Sequence, residues 1–191
     1  TGLGFGNYIE MWHDDRVHVA FKNNLLWLVF FLLAPPLSLG LGIFLNQGFK
    51  ELRFIKSLFF FPFVISPVVV GIIFSWFYNP KYGLLDSFLV GAGLESVALL
   101  SNEDLVSFGI IIAAMWPQVA YCLSLYMTGL AGLNQEMIEA GRIDGAKGWP
   151  MFWNIILPQL KPATFIAVVF SVLGALRSYD LIAIMTQGGP W

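Results

Sequence analysis

The chain has 191 residues, of which 58% are hydrophobic and only 12% are charged, and its mean hydropathy is +0.74. A soluble domain carries about a quarter charged residues, so this composition indicates a membrane protein. The net charge of −2 and the absence of a basic block argue against nucleic acid as a partner. The single cysteine, Cys122, lies in an apolar run, where we interpret it as a small buried hydrophobe rather than a nucleophile.

Four apolar stretches are long enough to cross a bilayer as helices, which takes roughly 20 residues. They cover residues 24–45, 58–78, 105–133 and 163–185. A weaker segment, 84–100, carries Asp86 and Glu95 and is interpreted as an interfacial loop or short helix. The sequence therefore predicts an all-α fold, a polytopic bundle of membrane helices.

Prolines fall inside three of these stretches: Pro35 and Pro36, then Pro62 and Pro67, then Pro117. Proline removes a backbone hydrogen bond, which lipid tolerates only where neighbouring helices or a cavity compensate. Broken helices of this kind are typical of transporters. Membrane helices also simply contain more proline than soluble ones, and both interpretations stay open for each position.

The connections between the stretches differ in basic residues, which are retained on the cytoplasmic side of a membrane. The connection 46–57 holds three, Lys50, Arg53 and Lys56, and the connection 134–162 holds Arg142, Lys147 and Lys161. The start of the chain and the connection 79–104 together hold three, Arg16, Lys22 and Lys81. We therefore predict that 46–57 and 134–162 face the cytoplasm.

Two charged residues, Arg177 and Asp180, stand inside the fourth stretch. A charge at the centre of a membrane helix costs at least about 2.5–3.5 kcal/mol. Their spacing of three residues predicts a shared helix face and a mutual ion pair. The pair either serves insertion alone or lines a polar translocation path with Gln118 and Tyr121 of the third stretch; we favour pairing toward a protein interior or such a path.

The segment 134–162 is a polar island between two apolar stretches. We expect a short helix capped by Asn134, a turn at Asp144 and Gly145, and a second helix with Pro150 in its first turn. Apolar residues recur on one side of that second helix at Trp149, Phe152, Trp153, Ile156 and Leu157. Such a helix lies on lipid or docks a soluble partner, and the balance of acidic and basic residues favours a protein partner.

The island resembles the cytoplasmic loop of permease subunits in binding-protein-dependent ABC importers. The resemblance is carried by E-A-G at 139–141, Gly145 after three intervening residues, and I-I-L-P at 155–158 after nine more. I-D-G-A at 143–146 and Leu157–Pro158 resemble the carbohydrate-uptake branch of that family. Gly141 departs from the family pattern, which usually has a second alanine there. Further similar segments are G-N-Y at 6–8, F-F-F-P-F-V-I-S-P-V-V-V-G at 59–71, N-P-K-Y-G-L-L-D at 79–86 and T-Q-G-G-P at 186–190.

The resemblance implies that the island is a coupling loop that sits in a cleft of a separate ATPase subunit. Glu139 would meet a basic residue there, while Asp144, Gly145 and Ala146 would shape the turn; Ala140 and Gly141 complete the motif. The chain has no G-x-x-x-x-G-K-[ST] motif, so ATP is expected on a partner pair, and we predict no cofactor, no metal site and no catalytic residue in this chain. Family members usually have six spans, so one span before Thr1 and one after Trp191 are expected to be missing, which makes these 191 residues a piece of a single permease domain.

The expected function is ATP-driven import of a sugar, oligosaccharide or glycerol phosphate by alternating access across a bacterial or archaeal cytoplasmic membrane. The expected partners are two ATPase subunits, a second permease of different sequence and an extracytoplasmic solute-binding protein. The solute is not readable from the sequence. An ion-coupled secondary transporter or an integral membrane enzyme, with the island merely lying on the membrane, is the alternative.

Overall fold

The computed structural model describes residues 4–46 and 52–188, and every regular element in those ranges is a helix. This confirms the predicted all-α class. Lys50 and the last two residues of the T-Q-G-G-P segment lie outside the described residues. The helices are α1 Gly6–Trp12, α2 Asp15–Phe31, α3 Ala34–Leu45, α4 Leu52–Val64, α5 Pro67–Phe77, α6 Leu84–Gly91, α7 Val106–Ala131, α8 Gln135–Ile143, α9 Trp149–Gln159, α10 Lys161–Leu176 and α11 Tyr179–Thr186.

Two helical segments are long and apolar enough to cross a bilayer unaided. The first is Asp15–Leu45, which contains α2, α3 and the two residues between them and has 31 residues, and the second is α7 with 26 residues. Pro35 and Pro36 lie in the first turn of α3, where the missing N–H would have no helical partner anyway. Pro117 lies inside α7, which continues through it. Proline does not break the spanning segment at either of these places.

The predicted second span, 58–78, is not one continuous helix. α4 and α5 meet at an angle of 109° around residues 65 and 66. Ser66, which precedes Pro67, is extended at ψ 148°, and its side chain accepts a hydrogen bond from the backbone N–H of Val69. A residue before proline avoids the helical region for steric reasons, so Pro67 ends one helix and starts the next.

The predicted fourth span, 163–185, is also divided. α10 ends at Leu176, Arg177 and Ser178 leave the helical path, and α11 begins at Tyr179. α11 packs back against α5, where Ile184 lies so close to Gly71 that a Cβ there would come within 2.9 Å of the Ile184 Cγ2. The segment 84–100 contains the short helix α6, followed by irregular chain.

α7 is the central helix of the bundle and contacts α2, α3, α4, α5, α10 and α11. Its buried side chains, among them Ile111, Leu123 and Tyr126, form much of the core. Many large apolar side chains point outward, including Val64, Phe165 and Leu176. On a soluble protein such a surface would aggregate, whereas on a bilayer protein it is where lipid or another membrane subunit packs.

Candidate functional site

The helix α8 begins as the sequence predicts. The side chain of Asn134 accepts a hydrogen bond of 3.2 Å from the backbone N–H of Met137, which confirms the N-cap. Glu136 in the first turn and Arg142 in the last turn match the helix dipole. The backbone N–H of Asn134 also donates to the side-chain oxygen of Gln159 at 2.8 Å. The start of the island is thereby held against the end of α9.

The turn after α8 is a glycine-terminated helix end. Gly145 has φ +85° at the predicted turn, a left-handed conformation that glycine adopts without steric cost. The N–H of Ala146 donates to the carbonyl of Gly141 at 2.8 Å, and that of Gly145 donates to the carbonyl of Arg142 at 3.1 Å. These two bonds define the Schellman motif, which satisfies carbonyls that the helix end leaves free. The turn is therefore fixed by its own backbone.

Most predicted loop residues lie on the open side of this turn. Glu139, Ala140, Asp144 and Gly145 are exposed and Ala146 is half-buried. Ile143 is 87% exposed at the tip, and sequence reasoning gave it no individual role. A large apolar side chain with nothing against it, at the tip of an ordered turn, is typical of an interface residue.

Gly141 is the exception among these residues, because it is buried against α9. The side chain of Ile155 fills the space that a Cβ on Gly141 would need, and the Met151 Cε lies 3.5 Å from the same point. The departure from the family alanine is thus a packing feature that joins α8 to α9. The sequence suggested only a weakened helix, since nothing in it shows which side chain faces residue 141.

The second helix, α9, has Pro150 in its first turn, as predicted, and contains a π-helical turn at Phe152–Ile156. The rings of Trp149, Phe152 and Trp153 contact one another with centroid distances of 5.5–5.7 Å. Met151 and Leu160 are buried. A Cβ on Gly129 of α7 would come within 2.9 Å of the Leu160 Cδ2, so the end of the island is tightly seated on the bundle.

The four residues proposed for a translocation path do not form one group. Gln118 donates from Nε2 to the hydroxyl of Ser171 on α10 at 3.0 Å, and the ring of Tyr121 lies 5.1 Å from that of Phe170. Arg177 and Asp180 are exposed and lie on either side of the break between α10 and α11. The prediction that they share a helix face and pair is wrong, because no single helix carries both, and among the described side chains neither forms an ion pair with the other.

Cys122 is buried, as expected, and its sulfur lies 3.8 Å from the hydroxyl of Ser171. Ser38 of α3, also fully buried, donates to the carbonyl of Val119 at 2.9 Å. Both serines are fully buried and link α7 to neighbouring helices. Sequence reasoning missed these serines, because a serine inside an apolar run carries no mark of its partner.

A cleft of about 730 Å³ opens between α3, α4, α5 and α7. Its lining is apolar and includes Leu37, Phe59, Pro62, Phe74 and Trp116. Binding sites for polar solutes need several converging hydrogen-bonding groups, and this cleft does not supply them. A smaller cleft of about 350 Å³ lies between the N-terminal parts of α2 and α7, lined by Asn23, Trp27, Glu103 and Ser107.

Comparison with known proteins gives a clear relationship. The family described as "binding-protein-dependent transport system inner membrane component" matches residues 34–190. The chain belongs to this family. Membership confirms the resemblance inferred from the 139–158 motif. Its relatives are named as transport permeases, as expected for a permease subunit rather than an enzyme.

Three relatives of this permease family illustrate the similarity. The probable ABC transporter permease YurN of Bacillus subtilis is 33% identical over 100% of this chain and 67% of its own length. The osmoprotective compounds uptake permease GgtC of Synechocystis is 31% identical over 97% of this chain and 69% of its own. The trehalose/maltose transport system permease MalF of Thermococcus litoralis is 29% identical over 98% of this chain and 64% of its own. The chain thus spans about two thirds of the length of these relatives.

The fold is shared with one chain of a solved ABC transporter. A chain of a bacterial ABC transporter that imports the acidic polysaccharide alginate superposes with a TM-score of 0.84, at 22% identity. The match covers 97% of this chain and 66% of the other. The likeness therefore extends over nearly the whole chain and shows a shared fold.

Proposed function

We propose that this chain is a permease subunit of an ATP-driven importer, and that the 134–162 island is the loop through which separate ATPase subunits move it. The observation that carries the proposal is the self-supported turn at Gly145, with Ile143 exposed at its tip. A turn that is rigid by itself and open on one side is suited to enter a cleft of another protein. Glu139 would meet a basic residue of that cleft, and Asp144 and Ala146 would shape the fit.

The packing of the island supports the transfer of force from the turn to the membrane helices on both sides of the island, α7 and α10. Asn134 and Gln159 close its two ends with one hydrogen bond, Gly141 and Ile155 join its two helices, and Leu160 is seated on α7. A displacement of the turn would therefore move α7 and α10 together. Each nucleotide state of the ATPases would stabilise one packing of the spans over the other, which is what alternating access requires.

The names of several relatives indicate a class of solute for this proposal. These include the trehalose/maltose permease and an sn-glycerol-3-phosphate permease of Rhizobium meliloti that is 30% identical over 98% of this chain and 64% of its own length. The motif at 143–146 points the same way. We propose a sugar, oligosaccharide or glycerol phosphate as the solute, delivered by an extracytoplasmic binding protein, with the chain located in the cytoplasmic membrane of a bacterium or archaeon.

The exposed charges support a second membrane subunit, which we propose to be a chain of different sequence. Arg177 and Asp180 interrupt an otherwise apolar surface at the α10–α11 break, and a charge facing lipid is costly. A second permease against this break would surround both residues with protein. In this proposal the path runs between the two subunits, and Gln118 and Tyr121 of α7 line a different part of it from Arg177 and Asp180.

The test is copurification of the ATPase subunits with the tagged membrane complex, combined with uptake of radiolabelled maltose, trehalose and sn-glycerol 3-phosphate. Gly145→Pro imposes a φ near −65° where the turn needs +85°, and Glu139→Lys reverses the charge on the exposed face. Both should abolish copurification and uptake while the binding protein still binds its solute. Gly145→Asn is the matched control, because asparagine tolerates a positive φ.

Normal uptake in Gly145→Pro and Glu139→Lys would overturn the coupling role. Uptake by the membrane subunits alone, driven by an ion gradient and indifferent to ATP, would instead support a secondary transporter. A membrane enzyme would be indicated by turnover of a probe solute without its accumulation.

A further inference from the structure

The aromatic side of α9 has no partner among the described residues. Trp149 is 69% exposed and Trp153 is 49% exposed, although the two rings contact each other and Phe152. Three mutually packed rings form a continuous apolar surface rather than scattered single side chains. Such a surface is normally covered.

The direction of α9 places this surface near the plane of a membrane. α9 and α10 meet at 71° around Leu160. If α10 runs along the bilayer normal, α9 lies within about 20° of the bilayer plane, at the point where the chain enters the hydrocarbon. A helix in that position has one long side toward the lipid and the other toward water.

The neighbours of α9 show which side of the helix packs on the rest of the protein and which side is free. Met151 and Ile155 contact Gly141 of α8. Ile156, three residues after Trp153, packs against the buried cluster of the bundle that contains Tyr126 and Leu160. The aromatic residues therefore lie next to the membrane bundle along α9, whereas α8 covers the side that carries Met151 and Ile155.

We infer that Trp149, Phe152 and Trp153 are seated in the headgroup region of the cytoplasmic leaflet, which makes bilayer lipid the partner of this surface. The inference rests on the proposed function for its sidedness. Tryptophan concentrates at the membrane–water boundary because its ring is apolar and its N–H needs a polar partner. The island then has two partners on separate sides. The exposed turn at 143–146 contacts the ATPase, and the aromatic side of α9 contacts lipid and holds the turn in position at the membrane surface.

Spin labels on the assembled membrane complex, reconstituted in nanodiscs of phosphatidylethanolamine and phosphatidylglycerol, test this. Labels are placed through Trp153→Cys and, as a control, Ile143→Cys, both in a Cys122→Ser background. The Trp153 label should collide more with oxygen, which concentrates in lipid, than with a water-soluble nickel chelate, and the Ile143 label should show the reverse. Adding the ATPase subunits should remove nickel access at Ile143 and leave Trp153 unchanged.

A Trp153 label that is open to nickel and becomes protected only on adding the ATPase would overturn the inference, since the aromatic side would then be a protein-docking surface. The proposed function would fail independently of this inference if nickel access at the Ile143 label did not change on adding the ATPase.

Trp153→Phe gives a second readout, by fluorescence, and preserves an aromatic ring at this position. The difference in tryptophan fluorescence between wild type and this variant is the emission of Trp153. Lipids brominated near the headgroup should quench that emission, and iodide in the water should not. Quenching by iodide and not by brominated lipid would count against lipid contact.

Discussion

The side chain of Ile155 occupies the space that a β-carbon on Gly141 would take. This contact joins the two helices of the island. Residue 141 therefore has no room for a larger side chain unless Ile155 moves, although its backbone angles are ordinary for a helix.

The first prediction concerns this contact. Alanine is about 1 kcal/mol more favourable than glycine in a helix interior, whereas turning the end of Ile155 away from its rotamer costs about 0.5–1.5 kcal/mol. The two terms nearly cancel, so Gly141→Ala should leave the Tm of the complex almost unchanged. It should still lower ATP-driven uptake several-fold, because the turned end of Ile155 alters how α8 sits on α9.

Ile155→Val removes the δ-methyl group that meets the new Cβ, so the double variant should recover uptake. Equal uptake by wild type and Gly141→Ala, at matched membrane levels, would show that the position of α8 on α9 does not matter for transport.

A second prediction concerns the turn before α6. A Cβ on Gly83 would meet the carbonyl of Asn79, and it would come within 2.6 Å of the Phe77 carbonyl oxygen and 2.7 Å of the Asn79 nitrogen. These are backbone atoms that cannot rotate away, so Gly83→Ala should destabilise the protein by at least about 1–3 kcal/mol. Gly91→Ala is the control at the other end of α6, where nothing lies within 4 Å.

The measurement for this pair is the protease-resistant fraction and the amount of protein in the membrane. Gly83→Ala should lose most of both, whereas Gly91→Ala should match wild type. Similar behaviour of the two variants would mean that the 79–83 turn deforms at little cost.

A third prediction concerns the hydrogen bond between Gln118 and Ser171, which joins α7 to α10 at 3.0 Å. Hydrogen bonds between membrane helices contribute about 0.6 kcal/mol on average and up to about 1.7 kcal/mol. A double-mutant cycle of Ser171→Ala and Gln118→Leu, followed by unfolding in mixed detergent, should give a coupling energy in this range. Ser124→Ala is the control, because its hydroxyl bonds only within α7, to the carbonyl of Tyr121; its coupling to Gln118→Leu should be near zero.

A fourth prediction concerns the cap of α8. Asn134→Ala removes the acceptor for the Met137 N–H, which should cost about 0.5–2 kcal/mol. Amide hydrogen exchange in 135–143 should become faster, and ATPase copurification should weaken. Asn134→Asp keeps an acceptor and should preserve slow exchange; if it exchanges as fast as the alanine variant, the cap is not what orders α8.

Much of the fold follows from the sequence because it depends on residues close along the chain. Apolar runs of bilayer length, the Asn134 cap, the Pro150 helix start and the positive φ of Gly145 are each set by a few neighbouring residues. The prolines show the limit of this local reasoning. Pro67 follows the extended Ser66 and starts a new helix, whereas Pro117 lies inside α7, which packs against six other helices of the described chain.

By itself, the sequence determined the helical class, the polar island and the family motif within it, since these are properties of composition and short-range spacing. Tertiary structure alone decided that Arg177 and Asp180 do not pair, that Gly141 receives Ile155, and that Gln118 binds Ser171. Each of these depends on where a distant segment comes to lie. Side-chain spacing along one helix carries no information about that position, because it is set by how the helices pack against one another.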